Sequence, residues 1–104
     1  MKLEIGQTED GSVRTLTVRG DLDMDSSPNL RDAIKKAITG GATLRIELSG
    51  VGYIDSSGIA VLIQGHKWAL KSQVAFRLVT PSPKVQAVIK LAQLQTLFTI
   101  EPVG

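Results

Sequence analysis

Hydrophobic and polar positions recur with two different periods along this chain, and the period switches from segment to segment. "VRTLTVRG" (Val13–Gly20) is rich in β-branched residues and bounded by "EDG" and "GD", which predicts a strand. "KLEIGQ" before it alternates more weakly and predicts the first arm of a hairpin turning at Glu9-Asp10-Gly11. "TLRIELSG" puts Leu44, Ile46 and Leu48 on one face and Arg45 and Glu47 on the other, the pattern of a half-buried strand. "VAFRLVT" (Val74–Thr80) and "LFTI" (Leu97–Ile100) predict two more strands, and "EPVG" a frayed end.

The segments between these strands change to the helical period. In "SSPNLRDAIKKAITGG", Ser27 is placed to cap, Pro28 to open the first turn, and Gly40-Gly41 to close the helix. Leu30, Ala33, Ile34 and Ala37 form its apolar face. Ser82-Pro83 repeats the signal for a helix with Val85, Val88, Ile89 and Ala92 in one stripe. A central helix is predicted from Ser57 to about Lys71. On it Ile59, Leu62, Ile63, His66 and Leu70 share a core-facing stripe, while Val61, Gly65 and Trp68 fall opposite, in line with Ser57. An exposed apolar strip with a tryptophan is a candidate partner surface. His66, on the buried stripe, reads as a hydrogen-bonded core residue.

The order β-β-α-β-α-β-α-β implies an α/β fold. Its four- to five-stranded sheet is parallel or mixed, with about three helices mainly on one face. The 104 residues make one domain, and no repeat, linker or low-complexity segment divides them. The absence of cysteine excludes disulfide frameworks, thiolate metal sites and thiol catalysis. Twelve basic and ten acidic residues are scattered, with none of the Lys/Arg clustering that marks nucleic-acid binding. "MKLEIGQTED" has no apolar signal core and "GIAVLI" is too short to cross a bilayer, so a cytoplasmic protein without membrane insertion is expected.

One motif carries candidate chemistry: "YIDSSGIAV", with Asp55-Ser56-Ser57-Gly58 between a strand and the central helix. A nucleophile elbow needs Gly-x-Ser-x-Gly and a histidine base. Here Ile54 stands two before Ser56, and His66 lies far down the same helix. "DLDMDSSPNLRD" resembles a calcium loop in its alternating Asp21, Asp23 and Asp25. Ser26 occupies the required glycine position and Pro28 intrudes, so no metal site is expected. A receiver-type phosphoaspartate at Asp55 would need a larger fold. Two readings stay open: the serines and Asp55 simply cap the helix, or a hydroxyl at the positive end of the helix dipole is itself modified.

"TLRIELSGV", "GYIDSSGIAVLIQGHKWA" and "VAFRLVTPSPKVQAVIKLAQL" together closely resemble STAS domains of the anti-sigma factor antagonist type. "VRGDLDMDSSPNLRDAI" is similar to the family's segment leading into the first helix. The resemblance covers nearly the whole chain. It implies a non-enzymatic, cofactor-free regulator that switches partners. Such a protein binds an anti-sigma factor serine kinase and is released when the first serine of the motif, here Ser56, is phosphorylated. Ser57 is the nearest variant as acceptor, and a PP2C-type phosphatase reverses the step. The family's acids map onto Asp23 and Asp55, Ser57 and Gly58 begin the helix, and the Val61–Trp68 strip falls on the partner surface. Leu91-Ala92-Gln93-Leu94 departs from the family's Leu-x-Gly-Leu turn. Many relatives also carry a further C-terminal helix, whose lack here would leave an edge open to a homodimer. A different class remains beside this one: the STAS subunit of a membrane-associated ABC-type lipid transport system, where the motif often reads Asp-Thr-Ala-Gly.

Overall fold

A glycine corner reverses the chain at the start of the fold. The computed structural model of the protein describes residues 3–38 and 43–101, so the Gly40-Gly41 stop and the "PVG" end lie outside the described residues. β1 (Glu4–Asp10) and β2 (Val13–Leu22) form an antiparallel hairpin in which Asp10 pairs with Val13. The turn centres on Gly11-Ser12, one residue later than expected. Gly11 takes φ +62, which glycine adopts without the steric cost a side chain brings.

α1 (Ser27–Ala37), β3 (Thr43–Ile54), α2 (Ser56–Lys71), β4 (Phe76–Val79), α3 (Pro83–Leu91) and β5 (Thr99–Glu101) follow in the expected order. The strands lie in the sequence β1-β2-β3-β4-β5, with β1 antiparallel and the rest parallel. Each crossover steps the same way across the sheet, so the usual right-handed connection puts all three helices over one face. Leu16, Val18, Leu44, Ile46, Leu48, Phe76 and Leu78 project from that face. They join Leu30 and Ile34 of α1, Leu62 of α2, and Val85 and Ile89 of α3 in a single core. The other face carries Thr15, Thr17, Arg45, Glu47 and Arg77. There Glu101 accepts from Arg45 of β3 at 3.1 Å and Arg77 of β4 at 3.3 Å, fastening the three-residue edge strand β5 to the two strands inside it.

Local chemistry sets the helix boundaries. Ser26, not Ser27, is the N-cap position of α1, and Pro28 is its second residue. Ser27 is already helical, its backbone N–H bonded to the Asp23 carbonyl at 2.8 Å. At the other end the Arg14 guanidinium donates to the Ala37 carbonyl at 2.8 Å, a cation placed where the helix dipole is negative. Ser82 caps α3 through Val85 N–H at 3.3 Å and donates to the Val51 carbonyl at 2.6 Å, locking that helix start to β3.

α2 and α3 end alike. Gln73 and Gln93 both take φ +59. Val74 N–H reaches back to the Ala69 carbonyl and Leu94 N–H to that of Ile89, both at 2.8–2.9 Å, completing Schellman turns. The Leu91-Ala92-Gln93-Leu94 turn therefore keeps the left-handed geometry that a glycine would favour, with glutamine bearing the strain.

The expected faces of α2 need correction. Ile59 and Leu62 are buried, but Leu70 is 67% exposed, while Ile63 and His66 are half-buried. Val61 and Gly65 are buried and Trp68 is half-buried, so no exposed strip runs through them. α2 touches both the sheet and α1, and the small residues Gly58, Gly65 and Ala69 mark the side of closest approach. A Cβ on Gly65 would sit 3.0 Å from the Phe76 ring and 3.1 Å from Ile34. Trp68 lines a small recess with Lys35 and Ile38 of the α1 side, with the Lys35 ammonium 5.9 Å from its ring. His66 stands edge-on to Phe76 and Phe98, at 6.3 and 6.0 Å between ring centres. Contrary to the expectation of a hydrogen-bonded histidine, its buried Nδ1 has no partner among the described residues.

Candidate functional site

β2 and β3 are adjacent and parallel, so the loops leaving their C-terminal ends lie side by side. In open parallel sheets this edge is where the chain is freest to present groups for recognition. Asp55 N–H donates to the Leu22 carbonyl at 3.2 Å, joining the two strand ends at the base of the site.

Asp55 is the N-cap of α2, with extended backbone. Its Oδ1 accepts from Ser57 N–H at 2.9 Å, from Gly58 N–H at 3.3 Å, and from the Ser57 hydroxyl. These donors, the Ser57 hydroxyl foremost, hold the carboxyl below the usual aspartate range. Gly58 is buried because its Cα rests on β2 and β3: a Cβ there would come within 2.8 Å of both Leu22 and Ile54.

Asp23 organises the neighbouring loop in the same way. Its Oδ1 accepts from the backbone N–H groups of Asp25 and Ser26, each at 3.0 Å, and from the Ser26 hydroxyl at 3.1 Å. The backbone bond from Ser26 is the main reason its carboxyl also lies below the usual range, while the charge of nearby Asp55 opposes that shift. Asp23 thus turns inward to its own loop, unlike a calcium ligand. Among the described residues no three His, Cys, Asp or Glu side chains converge as a metal site.

The two serines differ. Ser56, the first helical residue, is exposed, and among the described residues its hydroxyl makes no hydrogen bond. Ser57 is half-buried; its hydroxyl donates to Asp55 and lies 3.2 Å from the hydroxyl of Ser27. Ser27 is 2% exposed and donates in turn to the Asp23 carbonyl, so hydroxyls connect the two loops. Asp55 takes the first-turn N–H groups of Ser57 and Gly58, so these are not left over for a negative group on Ser56. Such a group would feel the helix dipole but also the two carboxylates.

Of the residues singled out from sequence, Asp23, Asp55, Ser56 and Ser57 gather at this edge. Gly58 lies beneath them as a packing residue, Val61 is in the core, and Trp68 stands against α1, so Gly58 and Val61 offer a partner no surface. Ser26, Ser27 and the 76%-exposed Met24 were not anticipated as parts of the site. The "DMDSSP" run did signal a capped turn, but the pairing of β2 with β3 that brings it here has no local signature.

Comparison with known proteins agrees with this architecture. A family model described as "Mlab, STAS domain" matches residues 5–100. The anti-sigma-B factor antagonist of Bacillus subtilis (strain 168) is 28% identical over 85 residues, covering 82% of this chain and 78% of the relative. A STAS-domain containing protein of Pseudomonas aeruginosa (strain UCBPP-PA14) is 26% identical over 93 residues, covering 88% of this chain and 90% of that one. The crystal structure of an anti-sigma factor antagonist from Mycobacterium paratuberculosis superposes with a TM-score of 0.88 at 25% identity, covering 98% of this chain and 87% of that one. A family match spanning nearly every described element, on the fold read from the coordinates, leads to one conclusion: the chain belongs to the STAS domain family.

Proposed function

We propose that this STAS domain is an anti-sigma factor antagonist whose docking surface is switched by phosphorylation of Ser56. One observation carries the reading: of the two motif serines, Ser56 alone is exposed with an unengaged hydroxyl, at the start of α2 beside two ionised carboxylates. Unmodified, the surface around Asp23, Asp55 and Ser56 docks on an anti-sigma factor serine kinase. A phosphate adds about −1.5 to −2 charges at neutral pH. Because Asp55 already takes the Ser57 and Gly58 N–H donors, that charge stays on the surface and repels a partner fitted to the unmodified form. A PP2C-type phosphatase resets the switch, and the domain has no catalytic role.

The relatives named as antagonists support this reading. The test compares wild type with Ser56→Ala and Ser56→Asp in kinase binding and phosphate incorporation. Ser56→Ala should bind but take up no label. Ser56→Asp should bind at least roughly tenfold more weakly, since opposed like charges at an interface cost several kcal/mol. Equal binding by all three, or undiminished labelling of Ser56→Ala, would sink the proposal. The second reading is the STAS subunit of a membrane-associated lipid transport system. Co-purification with a transporter ATPase subunit in place of a kinase is the result that selects it.

A further inference from the structure

Two hydroxyls sit side by side in the motif, and a kinase acting on Ser56 must pass over Ser57 one residue away. We propose that Ser27, on the other loop, determines this choice by closing off the Ser57 oxygen. The proposal rests on the reading of the domain as a kinase substrate.

Both the protons and the space around the Ser57 oxygen are already committed. Ser57 has one hydroxyl proton, directed to Asp55 Oδ1, and Ser27 has one, directed to the Asp23 carbonyl. The two oxygens nevertheless stand 3.2 Å apart, so lone pairs of Ser57 face an occupied position. Ser27 cannot swing away: it is 2% exposed, in the first turn of α1, and its backbone N–H is also bonded to Asp23.

Phosphoryl transfer forms a bond from serine oxygen to the γ-phosphorus of a nucleoside triphosphate carried by the kinase. The bond from that phosphorus to the nucleoside diphosphate breaks, and the hydroxyl proton passes to a base on the kinase. The attacking oxygen needs an open line to phosphorus and room for three more oxygens. Ser56 has both at the surface. At Ser57 the Ser27 oxygen fills part of the space the phosphoryl group would need. Asp55, held to two backbone donors, keeps the proton side closed as well. Ser27 touches no reacting atom in the Ser56 reaction; it selects by excluding the neighbour.

The experiment is phosphopeptide mapping with γ-labelled ATP and a soluble extract of the source cell as kinase. Wild type should carry label on Ser56, and Ser56→Ala should carry only background label. Adding Ser27→Ala to Ser56→Ala should raise Ser57 labelling at least tenfold, whereas adding the hydroxyl-retaining Ser27→Thr should not. If the Ser27→Ala double variant stays as silent as Ser56→Ala, the inference is overturned. Wild-type protein supplies a second measurement that needs neither kinase nor variant. By NMR the Ser57 hydroxyl proton should exchange with water at least tenfold more slowly than that of Ser56, and equal rates would also overturn the inference. Absence of label on either serine of wild type would instead defeat the functional reading, leaving the exchange measurement to decide the geometry.

Discussion

Gly58→Ala sets two known effects against each other at the base of the site. Replacing a helical glycine by alanine gains about 0.8–1 kcal/mol of helix propensity. At Gly58, however, the new Cβ falls 2.8 Å from Leu22 Cγ and 2.8 Å from Ile54 Cγ1, distances that require something to move. Both neighbours are buried at 0% and 3% exposure, and the atoms in conflict lie near the branch of each side chain, not at a flexible tip. Overpacking of this kind costs roughly 1–3 kcal/mol, and the N-cap hydrogen bond to Gly58 is disturbed with it. The clash should prevail, leaving the domain less stable by up to about 2 kcal/mol and lowering Tm by up to roughly 15 °C. Gly65→Ala is the internal control on the same helix. Its Cβ meets Phe76 and Ile34 at 3.0–3.1 Å, where a few tenths of an ångström suffice, so propensity and crowding should nearly cancel. Thermal and urea unfolding of both variants tests the argument. If Gly58→Ala is as stable as wild type or more so, the proposed close approach of α2 to β2 and β3 is wrong.

Other expectations follow from the same geometry. Gln73→Gly and Gln93→Gly should each stabilise by about 0.5–1 kcal/mol in urea unfolding, because both glutamines hold φ +59 at Schellman turns. Ser82→Ala should cost about 1–3 kcal/mol by the same assay, since it leaves the buried Val51 carbonyl without its 2.6 Å donor and uncaps α3. Asp55 and Asp23 have folded-state pKa values below the unfolded value of 3.8. Their stabilisation is therefore present above that value and is lost as pH falls through the lower folded values. A pH series of denaturant melts should show stability declining below about pH 4, with a shallower decline in Asp55→Asn. An unchanged slope would mean that Asp55 is not held by its donors in solution.

Much of the fold was legible because strand and helix periods differ and the caps are strong. Leu44, Ile46 and Leu48 alternate over a buried face, Pro28 and Pro83 open helices, and three crossovers in one direction require helices on one side. Boundaries moved where tertiary bonds overrode local cues: β3 runs through "VGYI" to Ile54 because β2 pairs with it as far as Leu22. The faces of α2 were misread for a different reason. A hydrophobic stripe weighs Leu70 and His66 heavily and glycine hardly at all. Close packing does the reverse, choosing Gly58, where Leu22 and Ile54 approach, and Gly65, where Phe76 and Ile34 do.

The same distinction explains how far the site could be read in advance. Asp55 as a cap follows from residue type and position, and its bonds to Ser57 and Gly58 are short-range consequences of that role. Ser27 is thirty positions from Ser57 and meets it only because β2 and β3 pair in parallel and end together. That pairing also decides which chemistry is open to the motif. Had Ser57 faced solvent, two equivalent hydroxyls would compete and Asp55 could serve either. With Ser57 held between Asp55 and Ser27, its hydroxyl helps fix the loops and Ser56 is left free. The adjacent serines are thus chemically alike but structurally unequal, and the inequality comes from Asp55 within the motif together with Ser27 outside it.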